Sequence, residues 1–110
     1  MPLASPKYPF EEWAVKGAPE DPGVYALYTG NTLVCIGVAM ARRKDDHIRA
    51  RLLEHFKTNR HGITQYQWEI TLTPLSLRAE YLSMLTKRLP NCEEVFKQPT
   101  DDADSKFESG

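Results

Sequence analysis

The stretch that decides the fold is residues 22–37, PGVYALYTGNTLVCIG. Residues 24–28 are all apolar or aromatic, residues 29–32 are rich in turn formers, and residues 33–36 are apolar again. Two short apolar runs joined by such a turn are typical of a tight β-hairpin. The stretch therefore predicts two antiparallel strands, the second of which ends at Gly37.

The pattern beyond the hairpin predicts two helices and a third strand. Apolar side chains recur at helical spacing within residues 46–58 and again after Pro74, up to a stop at Pro90. Between these helices, apolar and polar side chains alternate over residues 65–72, which is the pattern of a half-buried strand. The order of these elements predicts an α+β fold with a small three-stranded antiparallel sheet flanked by helices.

The positions of prolines and changes in composition divide the chain into three parts. Residues 1–21 contain four prolines and one short helical turn, and Pro22 follows, so we expect a proline-rich N-terminal arm anchored by Trp13. Residues 22–97 form the folded domain. Residues 98–110 are polar and acidic, which predicts a disordered tail.

Composition limits the class of protein. With 110 residues and 41% hydrophobic content, the chain is long enough for one modest core. No apolar stretch approaches the roughly 20 residues of a membrane-spanning helix, and no secretory signal is visible. Cys35 and Cys92 lie far apart without CxxC spacing, which favours reduced thiols and a cytoplasmic location.

The formal net charge of −1 gives no overall attraction to nucleic acid, but positive charge is concentrated in residues 42–61, the basic segment. The basic residues of this segment are Arg42, Arg43, Lys44, Arg49, Arg51, Lys57 and Arg60. They predict either a phosphate-binding surface or simply a solvated helix face.

Five short segments, taken in order, resemble the GIY-YIG endonuclease domain. They are the triplets GVY (23–25) and CIG (35–37), IRARLLEHF (48–56), LRAEYL (77–82) and LPN (89–91). The resemblance covers about residues 22–95. It implies a metal-dependent endonuclease that hydrolyses phosphodiester bonds in DNA.

The resemblance also implies a catalytic site. Tyr25 would activate the attacking water, and Arg51 would neutralise charge that develops on the phosphoryl group. His55, one turn after Arg51 on the same helix edge, would assist. Glu80 would hold Mg²⁺ (or Mn²⁺) together with water and substrate oxygens. The expected substrate-binding residues are Arg42, Arg43, Arg60, His61 and Asn91.

Each of these residues also has a structural interpretation. Tyr25 could be a core tyrosine, His55 a structural histidine, and Glu80 a surface carboxylate paired to Arg78 or Lys87. Asn91 could be a cap or turn residue.

The chain departs from the family pattern at two positions, where Cys35 replaces a tyrosine and Val38 replaces a lysine. The alternative function is therefore a catalytically weak or inactive GIY-YIG-like module that binds nucleic acid or a protein partner. A homodimer, or a protein partner that supplies targeting, fits either function. A zinc site would have to use Cys35, Cys92, His47, His55 or His61, but these residues lack the ligand spacing that is usual in zinc sites.

Overall fold

The computed structural model describes residues 5–42, 44, 46–58, 62–85 and 89–97. In this part of the chain, the strands are β1 (Tyr8–Pro9), β2 (Gly23–Thr29), β3 (Thr32–Ala39) and β4 (Gln65–Ile70). The helices are α1 (Glu12–Val15), α2 (Ile48–Lys57), α3 (Pro74–Leu85) and α4 (Cys92–Lys97). The tail predicted for residues 98–110 lies outside the described residues.

The strands form one antiparallel sheet in the order β1-β4-β2-β3. The prediction of an α+β fold with an antiparallel sheet and flanking helices is confirmed, but the sheet has four strands rather than three. The additional strand, β1, has only two residues and includes Pro9, so it is too short to show a period-two pattern.

The hairpin of β2 and β3 is confirmed. Thr29 pairs with Thr32 across a two-residue turn of Gly30 and Asn31. Gly30 has φ = +61°, a left-handed conformation that glycine adopts without the steric penalty other residues meet. The local turn chemistry therefore fixes the pairing at the tip of the hairpin, and the register shifts between Leu27 and Tyr28.

Helices cover both faces of the sheet, and each face has its own hydrophobic cluster. Tyr25 and Leu27 of β2 point to one face, where they pack in a cluster with residues of α1, α2 and α4. We call this the α2 face. Val24 and Ala26 point to the other face, the α3 face, where Tyr81 packs in the cluster. Because both faces are covered, the polar side chain of Gln67 is buried as well, and it is held by hydrogen bonds to Tyr28 and Ser5.

The segment predicted to be an N-terminal arm contributes to the same core. Phe10 and Val15 are buried in the α2-face cluster, and β1 pairs with β4. Trp13 was expected to anchor this segment, but its side chain is 68% exposed, so that expectation is wrong. Phe10 packs against Phe56 and Tyr66 instead. None of the described helices combines the length and apolar character that crossing a membrane requires.

Candidate functional site

Tyr25 lies at the centre of the α2 face. Antiparallel pairing places it opposite Gly37 on β3, and its side chain is fully buried. A Cβ atom at position 37 would lie 2.6 Å from the Tyr25 hydroxyl oxygen, well inside van der Waals contact. Glycine at the end of the CIG triplet therefore makes room for the tyrosine of the GVY triplet.

Helix α2 brings Arg51 and His55 to the same face. His47 caps the start of the helix, because its Nδ1 accepts a hydrogen bond of 3.1 Å from the backbone N–H of Ala50. One turn apart on α2, Arg51 and His55 project from one edge. His55 Nε2 and the Tyr25 hydroxyl oxygen lie 2.8 Å apart in a buried hydrogen bond.

Two carboxylates hold the guanidinium of Arg51. Its Nε donates to Asp46 Oδ1 at 2.9 Å, and its Nη2 lies 2.8 Å from the same oxygen. Its Nη1 forms an ion pair with the carboxylate of Glu93 on α4. The Asp46 side chain is only 3% exposed and the Arg51 side chain 18%, so this pair is largely desolvated, whereas the Glu93 side chain is 40% exposed.

Burial determines the protonation of the Tyr25–His55 pair. Desolvation raises the pKa of Tyr25 far above its ordinary value of 10, although the positive charge of Arg51 opposes the shift. Desolvation, aided by the charge of Arg51, lowers the pKa of His55 from 6.5 to about 4. Both side chains are therefore neutral at pH 7. A phenol with such a raised pKa is poorly suited to activate water as a general base.

Asp46 behaves in the opposite way. Burial alone would raise the pKa of its carboxyl, but hydrogen bonds from the Arg42 backbone and from Arg51, together with the charge of Arg51, lower it below 3.8. This residue was not among the predicted site residues. In the sequence, it is one of several acids interspersed with the basic segment, so no local pattern distinguishes it.

Glu80 does not join this cluster. It is exposed on α3, whose side chains Leu77, Tyr81 and Leu85 pack on the α3 face. Burial and the neighbouring Glu69 raise the pKa of Tyr81, and the charge of Glu80 adds to that shift. The carboxylate therefore stands beside Tyr81, on the opposite side of the sheet from Tyr25, Arg51 and His55.

The described residues do not fit a magnesium site that could act at Tyr25. No group of three or more His, Cys, Asp or Glu side chains among them is arranged to hold a metal ion. Glu80 offers a single exposed carboxylate, and Asp46 and Glu93 are paired with Arg51. The implied Mg²⁺ (or Mn²⁺) stays a prediction that this arrangement does not support.

Cys35 and Cys92 form a disulfide, with their Cα atoms 5.1 Å apart. The prediction of reduced thiols is therefore wrong, because residues distant in sequence meet where α4 crosses β3. Disulfide sulfurs are not the thiolate ligands that zinc requires, so the zinc hypothesis loses both of its cysteines. The reasoning from thiols to the cytoplasm fails with it, and the cytoplasmic location stays a prediction.

Of the expected substrate-binding residues, the structure describes Arg42 and Asn91. Arg42 is exposed, and its backbone N–H donates to Asp46 Oδ2 at 3.2 Å. The Asn91 side-chain oxygen accepts a hydrogen bond of 3.0 Å from the backbone N–H of Glu93, so it caps the start of α4. Arg43, Arg60 and His61 lie outside the described residues.

The buried histidine predicts a defined dependence of stability on pH. Between pH 6.5 and about 4 the unfolded chain binds a proton at His55 that the folded protein does not, so stability falls as pH drops through this window. The full shift corresponds to a loss of roughly 3 kcal/mol at about 1.4 kcal/mol per pH unit. Urea titrations at several pH values measure this loss.

His55→Gln is the matched control, since glutamine can hydrogen bond to Tyr25 but does not titrate. Its unfolding free energy should vary much less over the same window. Asp46 adds to the loss only below about pH 5, where its carboxyl begins to bind protons in the unfolded chain, and it does so in both proteins. An equal pH slope in the wild type and the variant would show that His55 is not the group responsible.

No protein-family model matches this chain, and neither a curated protein nor a solved structure shows significant similarity to it.

Proposed function

We propose that this chain is a catalytically inactive GIY-YIG-like module that acts by binding a protein partner. The observation that carries the proposal is that the predicted catalytic side chains are either buried and paired with other side chains or lie away from the rest of the site. Tyr25 and His55 are buried and hydrogen bonded to each other, Arg51 is paired to two carboxylates, and Glu80 lies on the other side of the sheet. Such side chains resemble a polar core network more than an open hydrolytic site.

The charge distribution favours a protein over a nucleic acid. Two arginines of the basic segment are already neutralised, because Arg51 pairs with Asp46 and Glu93, while Arg49 lies 3.1 Å from Glu20. Binding of nucleic acid draws most of its affinity from cations that are free to meet phosphates. The exposed cations left in the described part of the segment are Arg42, Lys44 and Lys57.

Exposed apolar side chains provide a better binding surface. Ile70, Leu72 and Leu75 lie close in sequence at the junction of β4 and α3, with exposures of 47%, 88% and 56%. Trp13 stands over a groove of about 240 Å³ that Tyr8 and Trp68 also line. Apolar and aromatic surface of this kind is enriched where proteins bind one another.

A nicking assay tests the absence of hydrolysis. Purified protein is incubated with supercoiled plasmid and Mg²⁺ or Mn²⁺, alongside Glu80→Gln as a matched variant whose exposed side chain does not contribute to the core. We expect no metal-dependent nicking from either protein. A single exposed carboxylate far from Arg51 cannot deliver a metal ion to a phosphate held at Arg51.

Metal-dependent nicking by the wild type that Glu80→Gln abolishes would contradict the proposal and support the endonuclease function instead.

Fluorescence anisotropy with a labelled DNA duplex distinguishes a protein partner from a nucleic acid partner. We expect only weak binding that disappears as salt is raised, because few cations are free in the described part of the basic segment. Tight binding that persists at physiological salt would favour nucleic acid as the partner.

A further inference from the structure

The segment that closes the cluster around Arg51, residues 89–97, is attached to the rest of the fold at a few described positions, among them the Leu89 carbonyl, which accepts a hydrogen bond of 3.0 Å from Arg78 Nη2. Helix α4 has six residues, too short to be stable without tertiary contacts. Glu93 binds Arg51, Val95 packs against the α2-face cluster, and the backbone N–H of Ile36 donates to the Pro90 carbonyl at 3.2 Å. The only covalent link between this segment and β3 is the Cys35–Cys92 disulfide.

The position of the disulfide couples it to Arg51. Cys92 is the first residue of α4, and Glu93, the next residue, supplies a carboxylate to the guanidinium. Both cysteines are fully buried, so a reductant can reach the sulfurs only when α4 moves away from β3. Local opening of a short terminal helix costs less than global unfolding. Reduction of the disulfide therefore requires that α4 separates from β3.

We propose that the Cys35–Cys92 disulfide is a reversible redox modification site that holds α4 over Arg51. A dithiol reductant attacks one sulfur as its thiolate, and the mixed disulfide is then resolved by the second thiol of the reductant. The products are Cys35 and Cys92 thiols and the cyclic disulfide of the reductant, so two electrons and two protons pass to the protein. Once α4 leaves, Arg51 keeps Asp46 but loses Glu93. This mechanism does not depend on whether the module binds a protein or hydrolyses DNA.

The test compares oxidised protein with protein reduced by dithiothreitol. Hydrogen exchange followed by mass spectrometry should show that residues 92–97 of the reduced protein exchange at least ten-fold faster than β2, whose own exchange also rises because the cross-link stabilises the whole fold. Modification by phenylglyoxal, located by mass spectrometry, should be at least ten-fold faster at Arg51 after reduction. Arg49 lies on the same helix and pairs with Glu20, outside α4, so its modification rate should stay the same.

Cys92→Ala provides a second arm, because it should reproduce the reduced pattern without any reductant. Three results would overturn the proposal. Purified, air-exposed protein could show two alkylatable thiols, in which case the disulfide does not form. Residues 92–97 of the reduced protein could exchange no faster than β2, which would mean that reduction does not release α4 on its own. Arg51 and Arg49 could keep the same relative reactivity, which would mean that α4 does not cover Arg51.

Discussion

Replacing Arg51 by methionine is expected to lower the free energy of unfolding by about 3 to 5 kcal/mol. The loss comes from Asp46, whose 3% exposed carboxylate would stay buried after its cation is removed. Methionine retains much of the aliphatic volume of arginine, so the effect reports on charge more than on packing. Urea denaturation at pH 7 followed by circular dichroism measures it.

Arg49→Met is the matched control. Arg49 lies on the same helix, but its ion pair with Glu20 joins side chains that are 34% and 61% exposed. Pairs of this kind contribute about 1 kcal/mol or less. The double variant Asp46→Asn with Arg51→Met should recover part of the loss, since it removes the stranded charge. Similar losses in the two single arginine variants would contradict the buried ionic cluster.

This result also separates two roles for Arg51. In a hydrolase, an arginine that stabilises a phosphoryl group must offer donors to the substrate, and removing it costs rate more than stability. Here the Nε and both terminal nitrogens of Arg51 already face carboxylates. A large loss of stability on mutation is the property of a structural cation, and it agrees with a module that binds without hydrolysis.

The local elements of the fold could be predicted because each depends on neighbours in sequence. The turn at Gly30 and the apolar spacing of α2 are visible without any tertiary contact. Strand β1 and helix α4 are not, since two and six residues are too few to reveal a period. Both elements are fixed by tertiary contacts, β1 through its pairing with β4 and α4 through the disulfide.

The candidate site shows the same division. The sequence predicts the strand that carries Tyr25 and the helix that carries Arg51 and His55, because hairpins and helical spacing depend on residues close in sequence. Glu80 was correctly expected on a helix, but its sequence does not say which face of the sheet that helix covers. On α3 it is Arg78 that reaches β3, donating from Nε to the Ile36 carbonyl at 2.7 Å. The carboxylate partners of Arg51 could not be predicted either, since Glu93 lies on a helix that no sequence pattern predicts.

Removing the disulfide is expected to have an effect of similar size to the loss of Arg51. The double variant Cys35→Ala with Cys92→Ala should lower the free energy of unfolding by about 4 kcal/mol. The cross-link joins residues 57 apart and so removes loop entropy from the unfolded chain. Alanine is preferred to serine because both positions are fully buried and a hydroxyl would lack a hydrogen-bond partner. Urea denaturation of oxidised wild type and variant measures the difference.

Reduced wild-type protein supplies the control, because it lacks the cross-link but keeps both sulfur atoms in the core. It should lose slightly less stability than the double variant, which also loses packing volume at two buried positions. A reduced protein as stable as the oxidised one would mean that the link does not constrain the unfolded chain. A loss of about 4 kcal/mol is a large share of the roughly 5 to 15 kcal/mol that stabilises a typical domain. The redox state of its surroundings would then set a large share of the stability of this chain, whatever its partner.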